Sequence, residues 1–165
     1  MDLQRLARAQ GPWLHLLVAE PSDACNALWA LERGAPVPLA ARVVRGRKAP
    51  TSAALFDECA AALQFPYYFG ENWDALRDCL ADLAWLRVEA VVLCVADAVH
   101  LLDKAPPDEA RRLVQVLEET VRHWHQPAKP HKPRPFHVVL HATPREEGAL
   151  LRRWQALTPF LDHLP

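Results

Sequence analysis

Along this chain, short apolar runs take turns with stretches whose apolar positions recur at helical spacing, so strands and helices should alternate. The run Trp13-Leu14-His15-Leu16-Leu17-Val18-Ala19 predicts a strand over about 13–19. A helix follows over about 22–33, with Ser22 or Asp23 available as its cap and Gly34 to stop it. Pro36 and Pro38 mark a connector, and Ala41-Arg42-Val43-Val44-Arg45, closed by Gly46, predicts the next strand. Thr51 or Ser52 caps a helix reaching about Gln64, with Leu55, Cys59, Ala62 and Leu63 on one face. After the loop Pro66-Tyr67-Tyr68-Phe69-Gly70, Asn72 caps a helix to about Trp85. The almost wholly apolar Val91-Val92-Leu93-Cys94-Val95 reads as a strand buried on both faces. Pro106-Pro107-Asp108 opens a long helix to about Trp124, and the four prolines within 126–135 predict a loop. Phe136-His137-Val138-Val139-Leu140 is the last expected strand, with a short helix from about Arg145. The alternation argues for an α/β fold: a short, mostly parallel sheet packed against helices.

Composition agrees with a folded domain. The 165 residues are 51% apolar and 24% charged, enough to close a core and too apolar for a disordered chain. No stretch approaches the length of a membrane span, and the apolar run at 13–19 lacks a cleavage region, so the expected location is the cytoplasm. The four cysteines, Cys25, Cys59, Cys79 and Cys94, lack metal-ligand spacing and sit in apolar contexts. They are expected to be reduced, packed thiols, with a Cys59–Cys79 disulfide as the alternative.

The net charge of −1 conceals three blocks. Residues 1–50 carry seven Lys/Arg against four Asp/Glu, residues 51–120 five against thirteen, and residues 121–165 seven against three. A central block at −8 cannot hold nucleic acid by neutralising phosphates; it favours a cationic partner, or it is simply a solvated face. Within that block the helix opening at Asn72 is the most informative segment. At 100° per residue, Leu76, Cys79, Leu80 and Leu83 share one face, and Asp74, Asp78 and Asp82 stack on the opposite one. The helix dipole favours Asp74 but does little for Asp78 and Asp82, and like charges at i, i+4 cost stability. A local cost without a local return points to a binding role. Tyr67, Tyr68 and Phe69 lie beside Gly70 outside any regular period, which suits a contact surface; one or more of these rings, Phe69 first, is expected to plug the core instead.

The segment Phe65-Pro66-Tyr67-Tyr68-Phe69-Gly70-Glu71-Asn72-Trp73-Asp74-Ala75-Leu76-Arg77-Asp78-Cys79-Leu80 resembles the signature of the barstar family, P-x-Y-[YF]-G-x-N-x-D-A-L-x-D, with every fixed position present. The family comprises intracellular protein inhibitors of small secreted microbial ribonucleases. The resemblance extends over about 41–142 and implies a barstar-like domain there, flanked by an N-terminal strand-helix extension (1–40) and a C-terminal helical tail (143–165). It further implies inhibition of a small basic guanyl-type ribonuclease, or a related nuclease toxin, by carboxylates standing in for RNA phosphates. On that reading the partner-binding set is Tyr68, Phe69, Gly70, Asn72, Trp73, Asp74, Arg77, Asp78 and Glu119. Tyr68 would pack on the catalytic His region, and Asp78 would fill the phosphate site against Arg and Lys. Asp74 and Glu119 would pair with Arg, while Gly70 and Asn72 shape the loop. Arg77 stands where the family's prototype has a tryptophan, and Trp73 and Trp85 are the aromatic replacements available nearby. No cofactor, metal or membrane partner is implied, and no catalysis.

Three other readings compete. His123, His125, His131, His137 and His141 crowd the last third, but their spacing matches no metal motif. Asp74 and Asp78 as a general acid/base pair lie one turn apart on one helix face, without a pocket to separate their protonation. The third is a barstar-fold adaptor that binds a different basic protein without inhibiting a nuclease.

Overall fold

A computed structural model describes residues 3–164. Its element order is β1 (Leu14–Val18), α1 (Pro21–Gly34), β2 (Leu39–Arg45), α2 (Ser52–Leu63), α3 (Trp73–Asp82), β3 (Ala90–Ala96), α4 (Pro107–His125), β4 (Phe136–Ala142), α5 (Glu147–Arg153) and β5 (Asp162–His163). The five strands form one parallel sheet in the order β2-β3-β4-β1-β5. The α/β class and the parallel sheet are as the hydrophobic pattern predicts.

Two layers cover the sheet. On one face, Leu14, Leu16, Val44, Val91, Leu93, Val138 and Leu140 meet α2, α3 and α4 through Leu55, Cys59, Leu76, Leu80, Leu117 and Trp124, all buried. On the other, Leu17, Val92, Cys94 and Val139 meet Ala24, Leu28 and Leu31 of α1, together with Leu6 of the 3-10 turn Gln4–Ala7 and Leu3 just before it. Coverage on both sides explains why β3 and β4 are buried without alternation.

Local chemistry sets the boundaries. Helix α1 begins one residue before Ser22, at Pro21, whose fixed φ and missing N–H suit the first helical position; neither Ser22 nor Asp23 caps it. Helix α3 stops at Asp82 rather than near Trp85. Leu83 turns left-handed (φ 45°), its N–H donates to the Cys79 carbonyl, and a 3-10 turn (Ala84–Leu86) follows. That turn lets Leu83 stay buried while the Trp85 Nε1–H donates to the Leu63 carbonyl at 2.8 Å. Where β2 leaves the sheet, a Cβ on Gly46 would lie 2.8 Å from the Ala96 carbonyl oxygen, so only glycine fits there.

Both flanking segments contribute strands. Residues read as the N-terminal extension supply β1, which pairs with β4 from Leu14↔Val138 to Val18↔Ala142. The tail is helical at first, in α5 and the 3-10 segment Gln155–Phe160, and then adds β5 beside β1. All four cysteines are free, so Cys59 and Cys79 are not joined. Cys59, Cys79 and Cys94 are packed as expected, and burial pushes the Cys59 and Cys94 thiols up to about 12. Cys25 is exposed, because it sits 100° round α1 from the buried Ala24-Ala27-Leu28-Leu31 stripe.

Candidate functional site

The loop before α3 and the helix itself build an outward ridge. The Asn72 side chain accepts from the Ala75 N–H at 2.8 Å, closing the helix N-terminus, and its Nδ2 donates to the Gly70 carbonyl at 3.0 Å. Gly70 is tightly approached: a Cβ there would meet Asn72 Nδ2 at 3.1 Å and Ala75 Cβ at 3.4 Å. Glu71 takes a left-handed φ of 50° to make the turn. This compact turn fixes where the ridge starts.

Leu76, Cys79 and Leu80 are buried beneath α3, while the Asp74 and Asp78 side chains are 85% and 73% exposed and Asp82 is exposed beside them. Tyr67 is fully exposed and Tyr68 is 68% exposed, their rings edge to face at 5.8 Å. Phe69 turns the other way, meeting Phe65 at 4.9 Å and Phe56 at 6.3 Å, so it anchors the loop on the core. Trp73 also faces inward: its ring meets Phe56 at 5.1 Å and its Nε1–H donates to Glu109 Oε2 at 2.9 Å. Trp85 is spent on Leu63 in the same way. The aromatic area offered outward is therefore that of Tyr67 and Tyr68.

Arg77 lies along the ridge. Its Nη1 donates to Asp74 Oδ1 at 3.2 Å, and its Nε and Nη2 donate to Asp78 Oδ1 at 3.2 and 3.1 Å. The Asp78 hydrogen bonds, followed by the charges of Asp78, Asp74 and Glu119, push the guanidinium above its ordinary value. Glu119 on α4 is thus near enough to join this electrostatic group, and it accepts from Gln115 Nε2 at 3.0 Å. Ridge, loop and Glu119 stand on one side of the molecule, with Phe69 and Trp73 as supports beneath them.

Two contributors escaped sequence reasoning. Glu109 accepts from both Ser52 Oγ and Trp73 Nε1, tying α2, α3 and α4 together under the loop; nothing in its local pattern marks it. The proline-rich segment at 126–135 forms the far wall of an open groove of ≈ 840 Å³ whose near wall is the acidic helix. Its lining includes Asp78, Asp82 and Glu89 as well as His123, His131, Lys132 and Arg134.

The histidines serve other ends. The His141 Nε2–H donates to the Ala19 carbonyl at 3.1 Å, and its Nδ1 accepts from the Asp97 N–H at 3.3 Å. His125 Nε2 accepts from the Phe136 N–H at 3.3 Å. Among the described residues no three His, Cys, Asp or Glu side chains converge as a metal site requires, and no helix is long and apolar enough to cross a membrane.

Comparison with curated proteins returned no match. Among solved structures, the chain is similar to the Aeropyrum pernix ORC2 protein in its ADP form, with a TM-score of 0.65 and 14% identity over 98% of this chain. It is also similar to the same protein in ADPNP-ADP complexes, with a TM-score of 0.61 and 13% identity over 98% of this chain. This chain spans 44% of the length of each, and at such identity the likeness is one of fold. Residues 39–141, which hold the loop, the acidic helix and Glu119, match the family described as barstar (barnase inhibitor), and the chain belongs to that family.

Proposed function

We propose that this protein inhibits a small basic ribonuclease of the guanyl type by placing its α3 carboxylates in the enzyme's phosphate-binding cleft. The observation that carries the reading is the Asp74-Asp78-Asp82 stripe, exposed on a helix capped by Asn72, with Tyr67 and Tyr68 beside it. A ribonuclease must gather Arg and Lys around phosphates, and a stiff row of carboxylates offers those groups the same charge and acceptor geometry. Because the row is held before binding, little ordering entropy is lost when it docks. Opposite charge on the two surfaces speeds their encounter. On this reading the protein acts by occupying the site rather than by catalysis, and it works in the cytoplasm as an immunity or antitoxin factor. Tyr68 packs over the catalytic histidine region, and Asp74, Asp78 and Glu119 take the arginines and lysines.

A second reading, a barstar-fold adaptor for another basic protein, draws on Arg77, whose guanidinium already occupies Asp74 and Asp78. Titration of RNA cleavage by a panel of barnase-type ribonucleases separates the two. Stoichiometric inhibition of at least one enzyme supports the inhibitor. Absence of inhibition across the panel, with a non-nuclease basic protein bound at the ridge, supports the adaptor.

A further inference from the structure

The proline-rich segment between α4 and β4 carries Lys129, Lys132 and Arg134 and no acid. Its base is tied down. The Arg134 N–H donates to the Trp124 carbonyl at 2.8 Å, and the Arg134 guanidinium carbon lies 4.2 Å from the centre of the Trp124 ring. Trp124 is itself buried, and its Nε1–H donates to the Leu80 carbonyl of α3 at 3.0 Å. The start of the basic segment is therefore fixed relative to the acidic helix. Pro127, Pro130, Pro133 and Pro135 restrict the backbone of the rest.

The segment and α3 share the lining of the open groove. Its acids are Asp78, Asp82 and Glu89, and its Lys/Arg side chains are Lys132 and Arg134. Among the described residues, Asp78 pairs with Arg77, and no acid of the groove pairs with Lys132 or Arg134. Arg134 is stacked on Trp124, whereas Lys132 is exposed. Opposite charges thus stand on one groove without neutralising each other, and both remain available to a third body. Asp78 belongs to the groove and to the ridge alike. An enzyme seated on Asp78 therefore covers one side of the groove and brings its own rim to the basic segment on the other. A lysine pressed against a cationic rim loses hydration and gains only repulsion, while a carboxylate there compensates it.

We propose that residues 127–134 are a specificity element that takes a carboxylate on the rim of the ribonuclease's basic cleft, an inference that rests on the inhibitor reading because it needs Asp78 in that cleft. The cleft meets α3 with its arginines and lysines, and the flanking acid meets Lys132. A nuclease that is basic throughout finds the same carboxylates on α3 but is repelled at the segment. Selection among basic enzymes then comes from the repulsive contact as much as from the attractive one. Because the segment is held before binding, little ordering entropy is lost when the acid docks.

Lys132→Glu tests this with a sign that general attraction does not share. The side chain is exposed and makes no ion pair, so the melting temperature should stay unchanged. The substitution turns a positive charge into a negative one, and long-range attraction alone then favours tighter binding to any basic enzyme. For the ribonuclease that wild type inhibits best, the opposite is expected: an inhibition constant raised at least about tenfold at low salt, the gap narrowing as salt is added. Asp78→Ala, titrated against the same enzyme, separates the two claims, and weakening by both variants supports both. Loss of inhibition with Asp78→Ala but unchanged or tighter inhibition with Lys132→Glu overturns the specificity element and leaves the ridge standing. No effect of Asp78→Ala, or no inhibition anywhere in a panel of barnase-type enzymes, overturns the ridge reading and this inference with it.

Discussion

Arg77 bridges Asp74 and Asp78, with its Nη2 3.1 Å from Asp78 Oδ1 and its Nη1 3.2 Å from Asp74 Oδ1. A cation therefore rests on the two carboxylates that the proposed inhibition uses, and a basic enzyme must displace it or share them with it. Replacing Arg77 by Ala leaves the helix face more negative and both carboxylates open. Association with a basic ribonuclease should then be several-fold faster, and more so at low salt, as stopped-flow mixing at two ionic strengths would show. An unchanged rate would mean that Arg77 lies outside the contact.

The turn that orients the ridge depends on Asn72, which caps α3 and ties down the Gly70 carbonyl. Asn72→Ala should cost about 1 kcal/mol of stability. For a chain of this size that lowers the melting temperature by about 2–4 °C. Thermal unfolding by circular dichroism measures it, and binding should weaken more than the stability change alone accounts for, since the loop loses its fixed shape.

His137 predicts a pH dependence of a definite sign. Its folded-state pKa is lowered to about 4, chiefly by burial, whereas the unfolded ring titrates near its ordinary 6.5. The unfolded chain therefore binds this proton first. The stabilisation is fully present above about pH 6.5 and is lost as pH falls toward about 4. Between pH 7 and about pH 5, urea unfolding should show a loss on the order of 1–2 kcal/mol, reduced when His137 is replaced by Gln.

The cysteines should differ in reactivity by position. Cys25 lies exposed on α1, while Cys59 and Cys94 are buried with thiols pushed up to about 12, and burial raises Cys79 as well. A thiol reagent added to the native protein should label Cys25 rapidly and the other three only on unfolding, which mass spectrometry of tryptic peptides resolves.

What could be read from residues alone was whatever a short window encodes. Val91–Val95 announces a strand because both of its faces are covered, and the α3 faces follow from Leu76, Leu80, Asp74 and Asp78 at helical spacing. The end of α3 was missed because Leu83 continues the apolar period; only its left-handed backbone, which no composition signals, stops the helix. Strand β5 was invisible for a related reason: Asp162-His163 is short and polar, and it becomes a strand only because β1 has a free edge beside it. The same holds for the inward turn of Trp73, which is set by Glu109, 36 residues away, and for the pairing of His15 with His137 across 122 residues. Asp74 and Asp78 were legible as surface groups because, with Arg77 and Asp82, they make a polar helix face opposite Leu76 and Leu80; Glu119 needed the packing of α4 beside α3 to bring it near Arg77.

The carboxylate most exposed to test is Asp78. It is 73% exposed, and neither its backbone nor the core beneath depends on its side chain, so Asp78→Ala should leave the melting temperature nearly unchanged. Isothermal titration of wild type and Asp78→Ala against an inhibited barnase-type ribonuclease should show the variant weaker by at least about 2 kcal/mol, roughly thirtyfold. Equal affinities for the two proteins would contradict phosphate mimicry by α3.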